Sequence, residues 1–200
     1  MATAVLIIDM QNAFFEAPVL RGQQDRVVSE CNSLIAAAAR ARIRVLMVCT
    51  EHERDKSTWT LSMLEDDQGF IFRGSSQAEL VPGLQAADLP RLVKTRDSAF
   101  MATDLLLRLR NWNVDRLLLA GVSTQNCIAQ TASDAFANNF HVAFARNALA
   151  TDNQEFAQAM LGILSEEYRQ PVLDRDGVLA LLQDASEVAH TGAGPGSAQD

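Results

Sequence analysis

Arg116–Ala137, RLLLAGVSTQNCIAQTASDAFA, changes character twice. Leu117 to Ala120 is an uninterrupted apolar run, as in a strand buried on both faces. Gly121 and the small polar pair Ser123 and Thr124 break the run. From Cys127 onward, Ile128, Ala129, Ala132, Ala135 and Phe136 recur at helical spacing. A strand, a tight turn and a helix are expected, with the thiol in the first helical turn. Unpartnered N–H groups and the helix macrodipole place partial positive charge there. Such a field favours thiolate and lowers the thiol pKa, and the same N–H groups can receive an oxyanion. Free cysteine is also among the most buried residue types, and inert packing is the competing reading. The rest of the chain has to decide between them.

Working outward, Thr3 to Ile8 is apolar at both parities and reads as a buried strand ending at Asp9. Gln23 to Ala41 carries Val27, Val28, Cys31, Leu34, Ile35 and Ala38 on one stripe, an amphipathic helix. Ile43 to Cys49 is the second expected strand and Arg91 to Val93 the third, with Lys94 at its end. Between them, residues 57–89 form a long irregular insertion holding Trp59, Met63, Phe70 and Phe72, suited to a lid or a partner contact. Thr103 to Arg110 reads as helix, His141 to Ala145 as a fifth strand, and Asn147 to Thr151 as loop. A helix capped by Asp152 or Asn153 runs to about Tyr168, and a short strand at Pro171–Leu173 precedes a last helix.

This alternation predicts an α/β fold, a single-domain Rossmann-like three-layer sandwich. Its sheet is six-stranded, mostly parallel and flanked by helices. The domain is expected over 1–187, with a Gly- and Ala-rich, disordered tail over 188–200. In such folds the carboxyl ends of the strands converge on one rim. Asp9, Lys94 and Cys127 can therefore meet although they are far apart in sequence. The ammonium favours the thiolate, while the carboxylate can take the thiol proton and later activate water.

The formal net charge of −8 disfavours nucleic acid and anionic membrane surfaces as partners. Three cysteines with no C-x-x-C spacing argue against a disulfide framework or structural zinc. The N-terminal apolar run is too short for a signal peptide or membrane span, so a cytoplasmic setting is expected.

Three segments resemble the isochorismatase-like cysteine hydrolases, a superfamily that includes nicotinamidases and carbamoyl-amide hydrolases. They are Ile8-Asp9-Met10-Gln11-Asn12, Lys94-Thr95-Arg96 with Ser98-Ala99-Phe100, and Ala120-Gly121-Val122-Ser123-Thr124 leading to Cys127. The resemblance covers roughly residues 3–175. It implies Cys127 as nucleophile, Asp9 as general base and Lys94 as the stabilising cation. It further implies a cis peptide between Val122 and Ser123, the Ser123 and Cys127 N–H groups as an oxyanion hole, Phe14 as a pocket wall, and a homo-oligomer, dimer or tetramer. Phe70 and Phe72 are the candidate interface. His52 and Trp59, in the segment after the second strand, and Phe100 are the other expected pocket residues.

The chain departs from the family pattern at Ala13 and Asn147, where relatives commonly carry Asp. It offers Glu51 and His52 after the second strand but no histidine between Glu53 and Phe140. No metal site of the nicotinamidase type, and no other cofactor, is therefore expected. The implied reaction is hydrolysis of a small amide, ureido or carbamoyl C–N bond through a thioester. The alternatives are an isochorismatase-type vinyl ether hydrolase and a catalytically silent binding or redox-sensing member.

Overall fold

All six residues of Thr3–Ile8 are buried, since apolar side chains of both parities need cover on both faces. The computed structural model of the chain describes residues 1–191, with side-chain surroundings to Ser186. Its elements are β1 (Thr3–Ile8), a 3-10 turn (Asn12–Phe15), α1 (Pro18–Arg21), α2 (Gln24–Arg40), β2 (Arg44–Thr50), α3 (Leu61–Glu65), a second 3-10 turn (Ser76–Ala78) and β3 (Arg91–Lys94). They continue with α4 (Leu105–Asn111), β4 (Arg116–Gly121), a π-helical turn (Thr124–Ile128), α5 (Ala129–Ala137), β5 (His141–Leu149), α6 (Gln154–Glu167), β6 (Val172–Leu173) and α7 (Arg175–Thr191).

The strands form one six-stranded sheet in the order β3-β2-β1-β4-β5-β6. Every pairing in it is parallel, beyond the mostly parallel sheet expected. Alternate residues feed two cores. Val5, Ile7, Met47, Cys49 and Leu118 pack with Val27, Cys31 and Leu34 of α2 and Leu182 of α7. Ala4, Leu6, Ile8, Leu46 and Leu117 pack with Leu109 of α4, Ala132 of α5 and Leu164 of α6. The three layers follow from this period-two division of apolar strands.

β1 is central and its neighbours are wound outward in opposite directions, so the strand order reverses between β1 and β4. Open parallel sheets bind ligands at such a switch point, beyond the strand ends. Two details of the chain bring those ends together. Asp9 leaves β1 at φ 55, a left-handed conformation that Asp adopts more readily than most residues. Gly121 ends β4 at φ 114, and a Cβ there would stand 2.0 Å from the Ile8 carbonyl oxygen. Only glycine allows β4 to press on the end of β1 so closely.

Three expected boundaries move. β5 runs to Leu149, so Asn147 lies in the strand and not in a loop after it. The register against β4 slips between Leu119↔Phe144 and Gly121↔Leu149, and this irregularity hid the second half of the strand from a pattern of apolar residues. α4 starts at Leu105, whose N–H is taken by the Thr103 hydroxyl at 3.2 Å. α7 continues through Thr191, past the boundary expected at 187. The remainder of the expected tail lies outside the described residues. Among the described residues no helix is long and apolar enough to cross a membrane.

Gly121→Ala is expected to destabilise the protein by about 3 kcal/mol or more, or to prevent folding, because backbone must move. Gly162→Ala, inside α6 with no heavy atom within 4 Å of the added Cβ, should instead stabilise by about 0.5–1 kcal/mol. Urea unfolding of both variants checks the contrast.

Candidate active site

Asp9, at the end of β1, and Lys94, the last residue of β3, are 0% and 1% exposed. A buried lone charge would be prohibitively costly, and these two are paired at 2.8 Å between Nζ and Oδ2. Thr50, the last residue of β2, closes the pair into a ring. Its hydroxyl accepts from Lys94 Nζ at 2.7 Å and donates to Asp9 Oδ1 at 2.9 Å. Lys94 Nζ also lies 3.4 Å from Cys127 Sγ. The three residues expected to meet on the rim are thus brought together. Among the described residues no group donates a well-aligned hydrogen bond to Asp9 Oδ2, which meets Lys94 as an ion-pair partner. It keeps an acceptor site directed into the cluster.

Thr50 has a keeper of its own. Buried Gln11 accepts the Thr50 N–H at 2.7 Å and donates to the carbonyls of Thr50 and Ala78, each at 2.9 Å. The glutamine amide spans β2 and the insertion, and every polar atom it owns is engaged. Sequence reading quoted Gln11 as part of a motif and ended the second strand at Cys49, one residue short of Thr50, and gave neither residue a role beside Asp9 and Lys94. A threonine at a strand end carries no pattern signal until the neighbouring strand is known.

Cys127 lies in the π-helical turn that precedes α5, and not in the first turn of that helix as expected. The turn is tied down by Thr124, whose N–H and hydroxyl both donate to the Ala150 carbonyl, at 3.1 and 2.9 Å. The peptide between Val122 and Ser123 is cis. Among the described residues the Ser123 N–H donates to no protein acceptor. The lowered thiol pKa expected from a helix terminus is also corrected. Burial first, then the negative charge of Asp9, push the Cys127 thiol well above its ordinary value, with Lys94 opposing them. For Lys94 burial works downward, but the Asp9 carboxylate and then Cys127 outweigh it and hold the ammonium above the usual lysine range. The resting cluster therefore sets the Lys94–Asp9 ion pair beside a thiol whose proton burial makes harder to lose.

The loop after Lys94 is pinned to α5 by three successive residues. Asp97 Oδ2 accepts from Gln130 Nε2 at 2.8 Å, the Ser98 hydroxyl bonds Asp134, and the Ala99 N–H donates to Thr131 Oγ1 at 3.0 Å. Asp97 Oδ1 approaches Cys127 Sγ at 3.8 Å, a neighbour that sequence reading did not single out.

The expected pocket residues divide into two groups. Phe14 leans on the α2 side of the core, and Phe100 stacks at 5.9 Å on Phe140 on the other side. His52 lies just past β2, and Trp59 at the start of the insertion. His52 Nδ1 stands 2.9 Å from the Thr58 carbonyl, which requires the proton on Nδ1, and burial lowers its pKa. Trp59 donates to the Glu53 carbonyl at 2.9 Å and packs beside Phe72, while Phe70 remains 45% exposed. Arg96 fastens this segment to the rim through the carbonyls of Thr58 and Trp59. Glu51 pairs with Arg73. Among the described residues no three His, Cys, Asp or Glu side chains converge as metal ligands, and His52 has spent one ring nitrogen on backbone. The donors present do not fit a metal of the nicotinamidase type. Asn147 lines a groove of about 320 Å³ with Glu30, Arg40 and Arg175 between α2 and α7. The absent carboxylate at that position is therefore not a loss from the Asp9–Lys94–Cys127 cluster.

Comparison with known proteins identifies the family and the fold. The isochorismatase domain model matches residues 3–175. A probable inactive nicotinamidase of Arabidopsis thaliana is 36% identical over 147 residues, 69% of this chain and 74% of that protein. An isochorismatase family protein of Desulfovibrio vulgaris superposes with a TM-score of 0.78 at 32% identity, covering 92% of this chain and 97% of that one. The Bacillus subtilis nicotinamidase superposes with a TM-score of 0.73 at 26% identity, over 86% of this chain and 100% of the other. The chain belongs to the isochorismatase family of hydrolases.

The cysteines give a pH test. Burial pushes the thiols of Cys31 and Cys49 up to about 12 from an ordinary 9.0. A raised pKa stabilises the protonated folded state, so this contribution is complete below pH 9 and is lost as pH rises towards 12. Between pH 8 and 10.5 the wild type should lose on the order of 2 kcal/mol more unfolding free energy than Cys31→Ala. Paired urea titrations at the two pH values measure the difference.

Proposed function

We propose that this chain is a cysteine-dependent hydrolase of a small amide, ureido or carbamoyl C–N bond. One observation carries the reading: an acid and an ammonium at two strand ends and a thiol on the turn after a third strand share one buried cluster. A scaffold would have no use for a charged pair buried against a thiol, because such a pair is costly to desolvate. The relative of known structure named a nicotinamidase, an amidase by that name, supports the same class.

The thiol proton passes to Asp9 as sulfur adds to the substrate carbonyl, so free thiolate need not accumulate. The developing oxyanion is received by the N–H groups of Ser123 and Cys127. The tetrahedral adduct collapses as the nitrogen takes the proton from Asp9 and leaves as ammonia or amine, with a thioester remaining on Cys127. Asp9 then removes a proton from water, which adds to the thioester. Expulsion of the sulfur, reprotonated by Asp9, releases the acid. Lys94 stays protonated throughout and holds Asp9 in place. An intact Cys127 favours this chemistry over vinyl ether hydrolysis.

A second reading, a catalytically silent member, is favoured by the Arabidopsis relative named as probably inactive and by a Cys127 that is only 6% exposed. Ammonia release from a panel of primary amides, ureides and carbamoyl compounds separates the two. Turnover by the wild type that falls by about a thousandfold or more in Cys127→Ala and in Asp9→Asn supports the hydrolase. Absence of turnover across the panel supports the silent member. Given turnover, Thr50→Val should lower kcat by about 10- to 100-fold with a smaller change in KM, because it removes orientation of Asp9 and Lys94 while leaving the substrate's own contacts.

A further inference from the structure

Any molecule that reaches Cys127 must come from the side where the cluster meets solvent, since Asp9 and Lys94 are sealed on the other. Asp97 stands on that side. It is exposed, yet its Oδ1 is 3.8 Å from Cys127 Sγ, and Gln130 holds its other oxygen at 2.8 Å. A carbonyl carbon in position for attack by sulfur places its substituents within reach of Oδ1. The charges already in the cluster do not cancel this carboxylate, because Lys94 is matched by Asp9. Arg96, the nearest cation in sequence, directs its guanidinium nitrogens at the carbonyls of Thr58, Thr95 and Trp59.

We propose that Asp97 is a specificity-determining residue that selects molecules carrying a positive charge or N–H donors beside the reacting carbonyl, and rejects carboxylate-bearing ones. The inference rests on the reading of Cys127 as nucleophile and narrows its substrate class. An amino-substituted amide or an N–H-rich ureide would donate to Oδ1, whereas an anionic isostere would bring a second negative charge against it. Repulsion of like charges at this range in a partly desolvated mouth is the larger of the two effects.

Thiol-directed probes read this charge without any substrate. Methanethiosulfonates transfer their thioalkyl group to a cysteine as a disulfide and release methanesulfinate, and cationic 2-aminoethyl and anionic 2-sulfonatoethyl forms differ mainly in charge. Their rates at Cys127, followed by mass spectrometry of the intact chain and corrected for their rates with free cysteine, give a selectivity ratio. The wild type is expected to prefer the cation by about tenfold or more, and Asp97→Asn to lose most of that preference. Raising the salt from low ionic strength to 0.5 M should shrink the wild-type ratio as well, a check that needs no variant. An unchanged ratio in Asp97→Asn, a wild-type preference for the anion, or failure of both probes to reach Cys127 would overturn the proposal. The outcome is distinct from that of the amide panel. A charge preference without turnover would sink the hydrolase and keep the selective mouth, while turnover with no charge preference would do the reverse.

Discussion

The ion pair between Lys94 and Asp9 sets the terms for the rest of the structure. Two charges removed almost wholly from water are tolerable only if they stay paired and hydrogen-bonded. The pairing ties the ends of β1, β2 and β3 together, since Asp9 directly follows β1 while Thr50 and Lys94 close β2 and β3 in the ring they form. Gln11 fixes the middle member by its backbone. Removing one charge would strand the other, so stability and the proposed reaction are bound to the same contacts.

A thiol whose pKa burial pushes up fits that arrangement. Lys94 is already committed to Asp9, and burial outweighs what attraction it offers to a thiolate. In the proposed reaction the nucleophile is formed on demand, when a carbonyl is present to take the developing charge. The geometry explains why Cys127 sits on an irregular turn: Gly121 brings the end of β4 against β1, and the turn then delivers sulfur to Lys94.

Much of this was legible in the chain itself. The buried strands show as apolar runs at both parities, and the alternation of strands with helices leads to a doubly wound sheet. Once the sheet is granted, Asp9, Lys94 and Cys127 fall on one rim. What stayed hidden depends on three-dimensional neighbours. Thr50 and Asp97 look like ordinary polar residues until the strand order is known, and the slip in β5 breaks the pattern that would have carried the strand past Ala145. The pKa of Cys127 was misjudged for a related reason. A helix terminus can be read from sequence, but the depth at which the sulfur is buried cannot.

The sheet order has a consequence for how the chain is made. β1 precedes every other strand of its sheet in the chain and lies at its centre, and its two partners come later: Ala4 pairs with Arg44 on one side and Thr3 with Arg116 on the other. While the chain grows on the ribosome, one edge of its most apolar strand stays open until β4 emerges. The nascent protein spends much of its synthesis as an incomplete sheet with an adhesive edge. Cells that make it quickly have reason to keep that edge shielded by chaperones until the turn bearing Cys127 has left the ribosome.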